Sequence, residues 1–128
     1  MQNSYNKNEK LKRKILIDRL FDEGRFLKAY PIQLVYLQFK DSTTKELKVG
    51  VSVSKRHFKK AVDRNRIKRL LREAYRNNKS THLSNTESSL AFMLMYVGKE
   101  LPHYKTVENA VQLLLKKLTN RLEDEKNS

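Results

Sequence analysis

The sequence contains no cysteine. That absence excludes disulfides, thiolate nucleophiles and cysteine-ligated zinc, and it fits a protein of the reducing cytoplasm. Long apolar runs are missing too. The longest, Leu90 to Val97, falls far short of the roughly 20 residues that cross a bilayer. The N-terminal residues lack the hydrophobic segment of a secretory signal. Histidines are few, and His57, His82 and His103 are scattered without metal-ligand spacing, so a zinc site has nothing to be built from. The neighbouring carboxylates Asp22 and Glu23 do not make a pair, because consecutive helical residues diverge by about 100° and cannot converge on one proton or metal. No tandem repeat or low-complexity block occurs. A stand-alone nuclease, which needs convergent carboxylates or a histidine pair, finds no candidate residues here.

Acidic residues are scarce relative to basic ones: 14 against 28 in 128 residues, a formal charge of +14. Excess charge of one sign opposes compaction unless a polyanion relieves it. Nucleic acid is therefore the first partner to consider, and a membrane surface falls behind it. The excess is also concentrated. From Lys48 to Lys79 twelve cations face only Asp63 and Glu73, which is +10 of the total, whereas the C-terminal segment reads Glu-Asp-Glu. A chain of this length supports one core, so residues 1–128 are expected to form a single RNA-binding domain, with a loose basic arm over 1–10 and a loose acidic tail over 123–128.

Along the chain, Leu16, Ile17, Leu20 and Phe21 recur at one-face helical spacing and Gly24 stands at a C-cap position, which predicts a helix over 12–23. Ile32 to Phe39, after Pro31, is rich in branched and aromatic residues and reads as a strand. Asp41 to Thr44 reads as a turn. Leu47, Val49, Val51 and Val53 then alternate with Lys48, Gly50, Ser52 and Ser54. Such a strand has one core face and one low, polar face against which a bulky partner can lie. A brief third pairing is expected next, before the basic helix. In the stretch from Asp63 to Arg76, Ile67, Leu70, Leu71 and Ala74 form an apolar stripe while Asn65, Lys68, Arg69, Arg72 and Arg76 project elsewhere. A polar linker is expected from Asn77 to Ser89. The run from Leu90 to Gly98 is apolar on both faces, as suits a central strand. Finally Val107, Ala110, Val111, Leu114, Leu118 and Leu122 give an amphipathic helix. The class is α+β, a small sandwich of a mostly antiparallel four-stranded sheet and helices, in the order α-β-β-β-α-β-α.

The basic helix is costly in isolation. Arg64 and Arg66 lie near its start, where the helix dipole disfavours cations by about 0.3 to 1 kcal/mol each. Arginines at i, i+4 spacing repel by a few tenths of a kcal/mol per pair. A merely solvated face would alternate signs, with Glu73 not so isolated. Phosphates supply the missing charge, and the planar fork of arginine suits bidentate contact with them. None of Arg64, Arg66 and Arg69 belongs to the apolar stripe, so replacing them is expected to weaken RNA binding and leave the fold intact. Asp63 reads as a helix N-terminal residue before it reads as a metal ligand.

The segment GVSVSKRHFKKAVDRNRIKRLLREAYR resembles the protein subunit of bacterial ribonuclease P, a family marked by a glycine-containing strand ending in Ser-Lys, then a helix with Arg-Asn-Arg, Lys-Arg and Arg-Glu. The resemblance is strong over Val49 to Arg76, weaker over the first helix and the strand through Tyr36, and a matter of pattern after Ser80. It implies a ribosomal-protein-like fold with a left-handed βαβ crossover, against the general rule. It also implies a partner, a catalytic RNA that uses Mg²⁺ to remove the 5′ leader of precursor tRNA, with no catalytic residue, no dedicated metal site and no obligate protein partner in this chain. Arg64, Asn65, Arg66, Lys68, Arg69 and Arg72, with Lys59 and Lys60, would face that RNA. A cleft between the first helix and the sheet would hold the leader through Phe21, Tyr36, Ser52, Lys55 and Arg56, with rings available for base stacking.

On the residues alone, Phe21 and Tyr36 are more often core than base platforms. The sequence departs from the family in two places. Ile17 stands where many members place an aromatic, and Phe58, Lys59 and Lys60 replace a Gly-Asn turn. The alternative reading is a ribosomal or other structural RNA-binding protein. A DNA-binding helix-turn-helix does not fit, because the basic helix lies among strands without a preceding partner helix.

Overall fold

The computed structural model describes residues 14–39, 47–83 and 89–126. Its elements in chain order are α1 (Lys14–Glu23), β1 (Arg25–Ala29), β2 (Ile32–Phe39), β3 (Leu47–Val53), α2 (Ala61–Leu83), β4 (Ser89–Tyr96) and α3 (Tyr104–Lys126). The expected class and element order are therefore observed. The expected turn at Asp41 to Thr44 and the basic arm over 1–10 lie outside the described residues.

One sheet runs in the order β1-β2-β4-β3. The β1–β2 and β2–β4 ladders are antiparallel, and β3–β4 is parallel, with α2 as the crossover between them. β4 takes the central place that its two-sided apolar sequence predicts. On one face Leu90, Phe92, Leu94 and Tyr96 join Ile32, Leu34 and Tyr36 of β2, Val49 and Val53 of β3, and the apolar stripes of α2 and α3 in the main core. Alternation sends Val35, Ala91, Met93, Gly50 and Ser52 to the opposite face. There α1 packs on β2 and β4, burying Leu16 and Leu20. Each fully buried leucine contributes about 1.5 to 3 kcal/mol, enough to hold a ten-residue helix that is too short to persist alone.

Three expectations need correction. The third strand is β1, ahead of Pro31, while the chain between β3 and α2 forms turns. Only Leu27 of β1 is buried, and with Arg25 and Lys28 among its five residues the strand carries little apolar signal. Where a polar linker is expected from Asn77, α2 continues to Leu83. The buried Asn78 has partners there: it donates from Nδ2 to the Ala74 carbonyl at 2.7 Å and accepts at Oδ1 from Gln112 Nε2 at 3.0 Å. Residues 123–126, placed in a loose tail, close α3 instead. Glu125 Oε1 accepts hydrogen bonds from Arg25 Nη1 at 2.7 Å and from the Tyr36 hydroxyl at 3.0 Å.

Gly24 does end α1, its N–H donating to the Leu20 carbonyl at 2.9 Å, but it is not in the left-handed conformation. Glycine is needed there for room. A Cβ would collide with the Leu20 carbonyl, lie 2.8 Å from Val35 Cγ2 and lie 2.9 Å from the Tyr36 carbonyl.

Candidate nucleic-acid interface

α2 divides cleanly by burial. Ile67, Leu71, Ala74 and Tyr75 are fully buried, and the Tyr75 ring meets Phe92 edge-on with centroids 5.7 Å apart. Leu70, expected in the same stripe, packs at the margin of the core. The outward side carries Val62, Asn65, Arg66, Arg69, Arg72, Glu73 and Arg76, which line one open groove. Four guanidinium groups thus share a surface with a single carboxylate. Arg76, which the family pattern did not single out, belongs to this group, and the i+4 step from Arg72 was the signal for it. Lys68 is half-buried on the flank.

Arg64, expected to face RNA, makes hydrogen bonds within its own chain. Its Nη1 donates to two successive backbone carbonyls, Phe58 at 2.7 Å and Lys59 at 2.9 Å. The Lys60 carbonyl accepts from the Asp63 and Arg64 amides, both at 3.2 Å, which opens the helix. Asp63 occupies the first turn, where its charge suits the dipole.

The loop leading into α2 is organised from within. Phe58 is only 6% exposed and packs on Tyr96 with ring centroids 5.9 Å apart. The Phe58 amide donates to the Ser54 carbonyl, and the Arg56 amide to Ser54 Oγ, each at 3.2 Å. With Phe58 turned inward, Lys55, Arg56, His57, Lys59 and Lys60 are all exposed.

On the α1 face of the sheet, register aligns two rows across all four strands. Lys28, Gln33, Met95 and Ser52 form one, and Phe26, Val35, Met93 and Gly50 the other. Phe21 of α1 is 45% exposed. Lys55 and Arg56 follow the end of β3. Phe21, Ser52, Lys55 and Arg56 are therefore available on or beside this surface.

Tyr36 is not, and its assignment to the cleft is corrected. It is 2% exposed, lies in the main core on the other face, and gives its hydroxyl to Glu125. Burial, then the Glu125 hydrogen bond and charge, push its pKa from 10.0 up to about 12. The side chain that alternation sends to the α1 face is Leu37, which pairs with Ala91. Phe26, Met93 and Met95 share that face and were also missed. The period of two within Ile32–Phe39 was the available signal. Glu23 pairs with Arg19 at 3.0 Å rather than with Asp22. Among the described residues no cluster of three or more His, Cys, Asp or Glu suits a metal ion, and no helix is long and apolar enough to cross a membrane.

The family model for Ribonuclease P matches residues 5–119. The ribonuclease P protein component of Porphyromonas gingivalis is 41% identical over 113 residues, covering 83% of this chain and 80% of the relative. That of Chlorobium phaeobacteroides is 31% identical over 126 residues, covering 88% and 86%. Among solved structures, the RNase P protein of Staphylococcus aureus superposes with a TM-score of 0.70 at 21% identity, over 88% of this chain and 96% of that one. The Thermotoga maritima RNase P protein gives 0.65 at 24% identity, over 85% and 96%. The solved structures establish a shared fold, and the sequence relatives with the family model carry the rest. The chain belongs to the ribonuclease P protein family, the protein components of the endonuclease that processes the 5′ ends of tRNA.

Proposed function

We propose that this chain acts in the cytoplasm as a single RNA-binding domain that grips the catalytic RNA of ribonuclease P with α2 and its preceding loop, and holds the 5′ leader of precursor tRNA on the α1 face of the sheet. The observation that carries the reading is the outward side of α2, where Arg66, Arg69, Arg72 and Arg76 face one carboxylate, Glu73. Phosphates neutralise such an array, and the counterions they release supply affinity. Asn65, Lys68, Lys59 and Lys60 extend it. The leader surface uses Phe21 as a ring for base stacking, the low Gly50 and Ser52 floor for close approach, and Lys55 and Arg56 for backbone phosphates.

Mg²⁺ belongs to the RNA in this reading. Hydrolysis that releases the leader is assigned to the RNA. The protein contributes position and charge neutralisation. Reconstitution tests this directly: the purified protein leaves precursor tRNA uncut, and adding it to a cognate catalytic RNA lowers the Mg²⁺ concentration needed for leader removal. Cleavage by the protein without RNA, or no stimulation of the RNA, overturns the proposal.

A further inference from the structure

We infer that Arg64 is a positioning residue that fixes the cationic loop before α2, and that it is not one of the residues that contact phosphate. Its Nη1 is committed to the carbonyls of Phe58 and Lys59, at 2.7 and 2.9 Å. The next carbonyl, Lys60, is taken by the first amides of the helix. Three successive carbonyl oxygens are thus occupied by donors from the first turn of α2. Left bare, those oxygens would repel an approaching phosphate and compete for the lysine ammonium groups. Capped by a guanidinium, they present a polyanion with side-chain cations only.

The arrangement also explains a cation in the first turn of a helix, where the dipole disfavours one. Arg64 reaches back past the helix end to oxygens that carry partial negative charge, and so gains there what it loses to the dipole. The side chain of Phe58 is in turn held in the core. Between these two fixings Lys59 and Lys60 keep one geometry relative to Arg66, and the loop is ordered before RNA arrives.

The binding half of the test rests on the proposal that α2 grips RNA; the exchange half does not. Full-length R64A, R64K and R66A are compared with the parent in two measurements: hydrogen exchange of the Phe58 amide without RNA, and affinity for the catalytic RNA as a function of KCl. R64A is expected to speed exchange at Phe58 about tenfold or more, since opening of the loop then limits protection. It is expected to weaken RNA binding about 3- to 10-fold, the cost of ordering two lysines on binding, while keeping the slope of log affinity against log salt. R64K keeps the charge, but its Nζ ends one bond short of Nη1 and cannot span both carbonyls, so it should behave like R64A. R66A should leave Phe58 protected and reduce the slope by about 0.7 to 0.9. A reduced slope in R64A with Phe58 still protected, or R64K matching the parent in both measurements, overturns the inference. If neither R64A nor R66A alters RNA binding, the reading of α2 fails, and exchange at Phe58 alone still decides what Arg64 does.

Discussion

Replacing Arg66 and Arg69 together with alanine tests the phosphate-binding reading most sharply, because both line the outward groove and neither enters the core. Two lost phosphate contacts lower the slope of log affinity against log salt by about 1.4 to 1.8. Between roughly 50 and 200 mM KCl, a fourfold change, the parent therefore loses about 7- to 12-fold more affinity than the variant. The gap between them is widest at low salt and narrows as salt rises. Stability moves little: exposed substitutions away from special contacts stay within about 0.5 kcal/mol, and removing cations that repel at i, i+3 and i, i+4 spacing acts in the stabilising direction. A filter-binding or fluorescence titration against the catalytic RNA at several KCl concentrations, beside a urea melt, reads both quantities. An unchanged slope refutes phosphate contact by this face. A collapse of the fold refutes the assignment of faces.

Three further outcomes follow from the packing. E125A removes the acceptor of both Arg25 and the buried Tyr36 hydroxyl; the exposed ion pair adds little, but an unsatisfied buried hydroxyl costs about 1 to 3 kcal/mol, which a urea midpoint will show, and a shift no larger than that of R25A would contradict it. G24A forces a methyl group onto the backbone oxygens of Leu20 and Tyr36 and onto Val35, and should destabilise by about 1 to 3 kcal/mol, whereas a gain in stability would mean that α1 stands further from the sheet than described. Tyr36, its pKa raised from 10.0 to about 12, favours the fold while neutral, so its contribution is intact below about pH 10 and disappears as pH rises toward 12. Two units correspond to at most about 2.7 kcal/mol. Stability of the parent should therefore fall more steeply than that of Y36F over this window, with lysine titration common to both, and parallel curves would reject the assignment.

How much of this was readable beforehand depended on whether burial or partnership decides a residue's place. β2, β3, β4 and the stripe of α2 follow from periodicity, because their apolar residues face water unless paired as observed. The continuation of α2 through Asn77 and Asn78 does not follow, since its justification is Gln112 and Tyr104 of a helix far along the chain. The end of α3 is similar: Glu125 reads as a solvated tail residue until β1 and β2 place Arg25 and Tyr36 against it. Tyr36 was misplaced for a different reason. The resemblance implies a place in the cleft, but the period of two that puts Val49 and Val53 inward also puts Tyr36 with Leu34 and Ile32, and leaves Leu37 for the other face. Arg64 was legible as a charge and illegible as a hydrogen-bond donor, because carbonyl directions in a turn are not written in residue types.

The same division decides whether the cationic face exists before RNA binds. Within α2, Arg64, Arg66, Lys68, Arg69, Arg72, Arg76 and Lys79 form six like-charge pairs at i, i+3 or i, i+4 spacing, a repulsion of about 1 to 3 kcal/mol in total at a few tenths each. Against it stand Ile67, Leu71 and Tyr75, fully buried and each contributing about 1.5 to 3 kcal/mol. Asn78 adds its tie to α3. Burial exceeds repulsion, so the helix is held by its inner side and the arginine array is presented on a rigid backbone. A polyanion then orders side chains only, and the entropy of forming the helix is not subtracted from its affinity. Had the balance fallen the other way, RNA would have had to fold α2 as it bound it, and the salt dependence of affinity would have been accompanied by a large gain in helicity on binding.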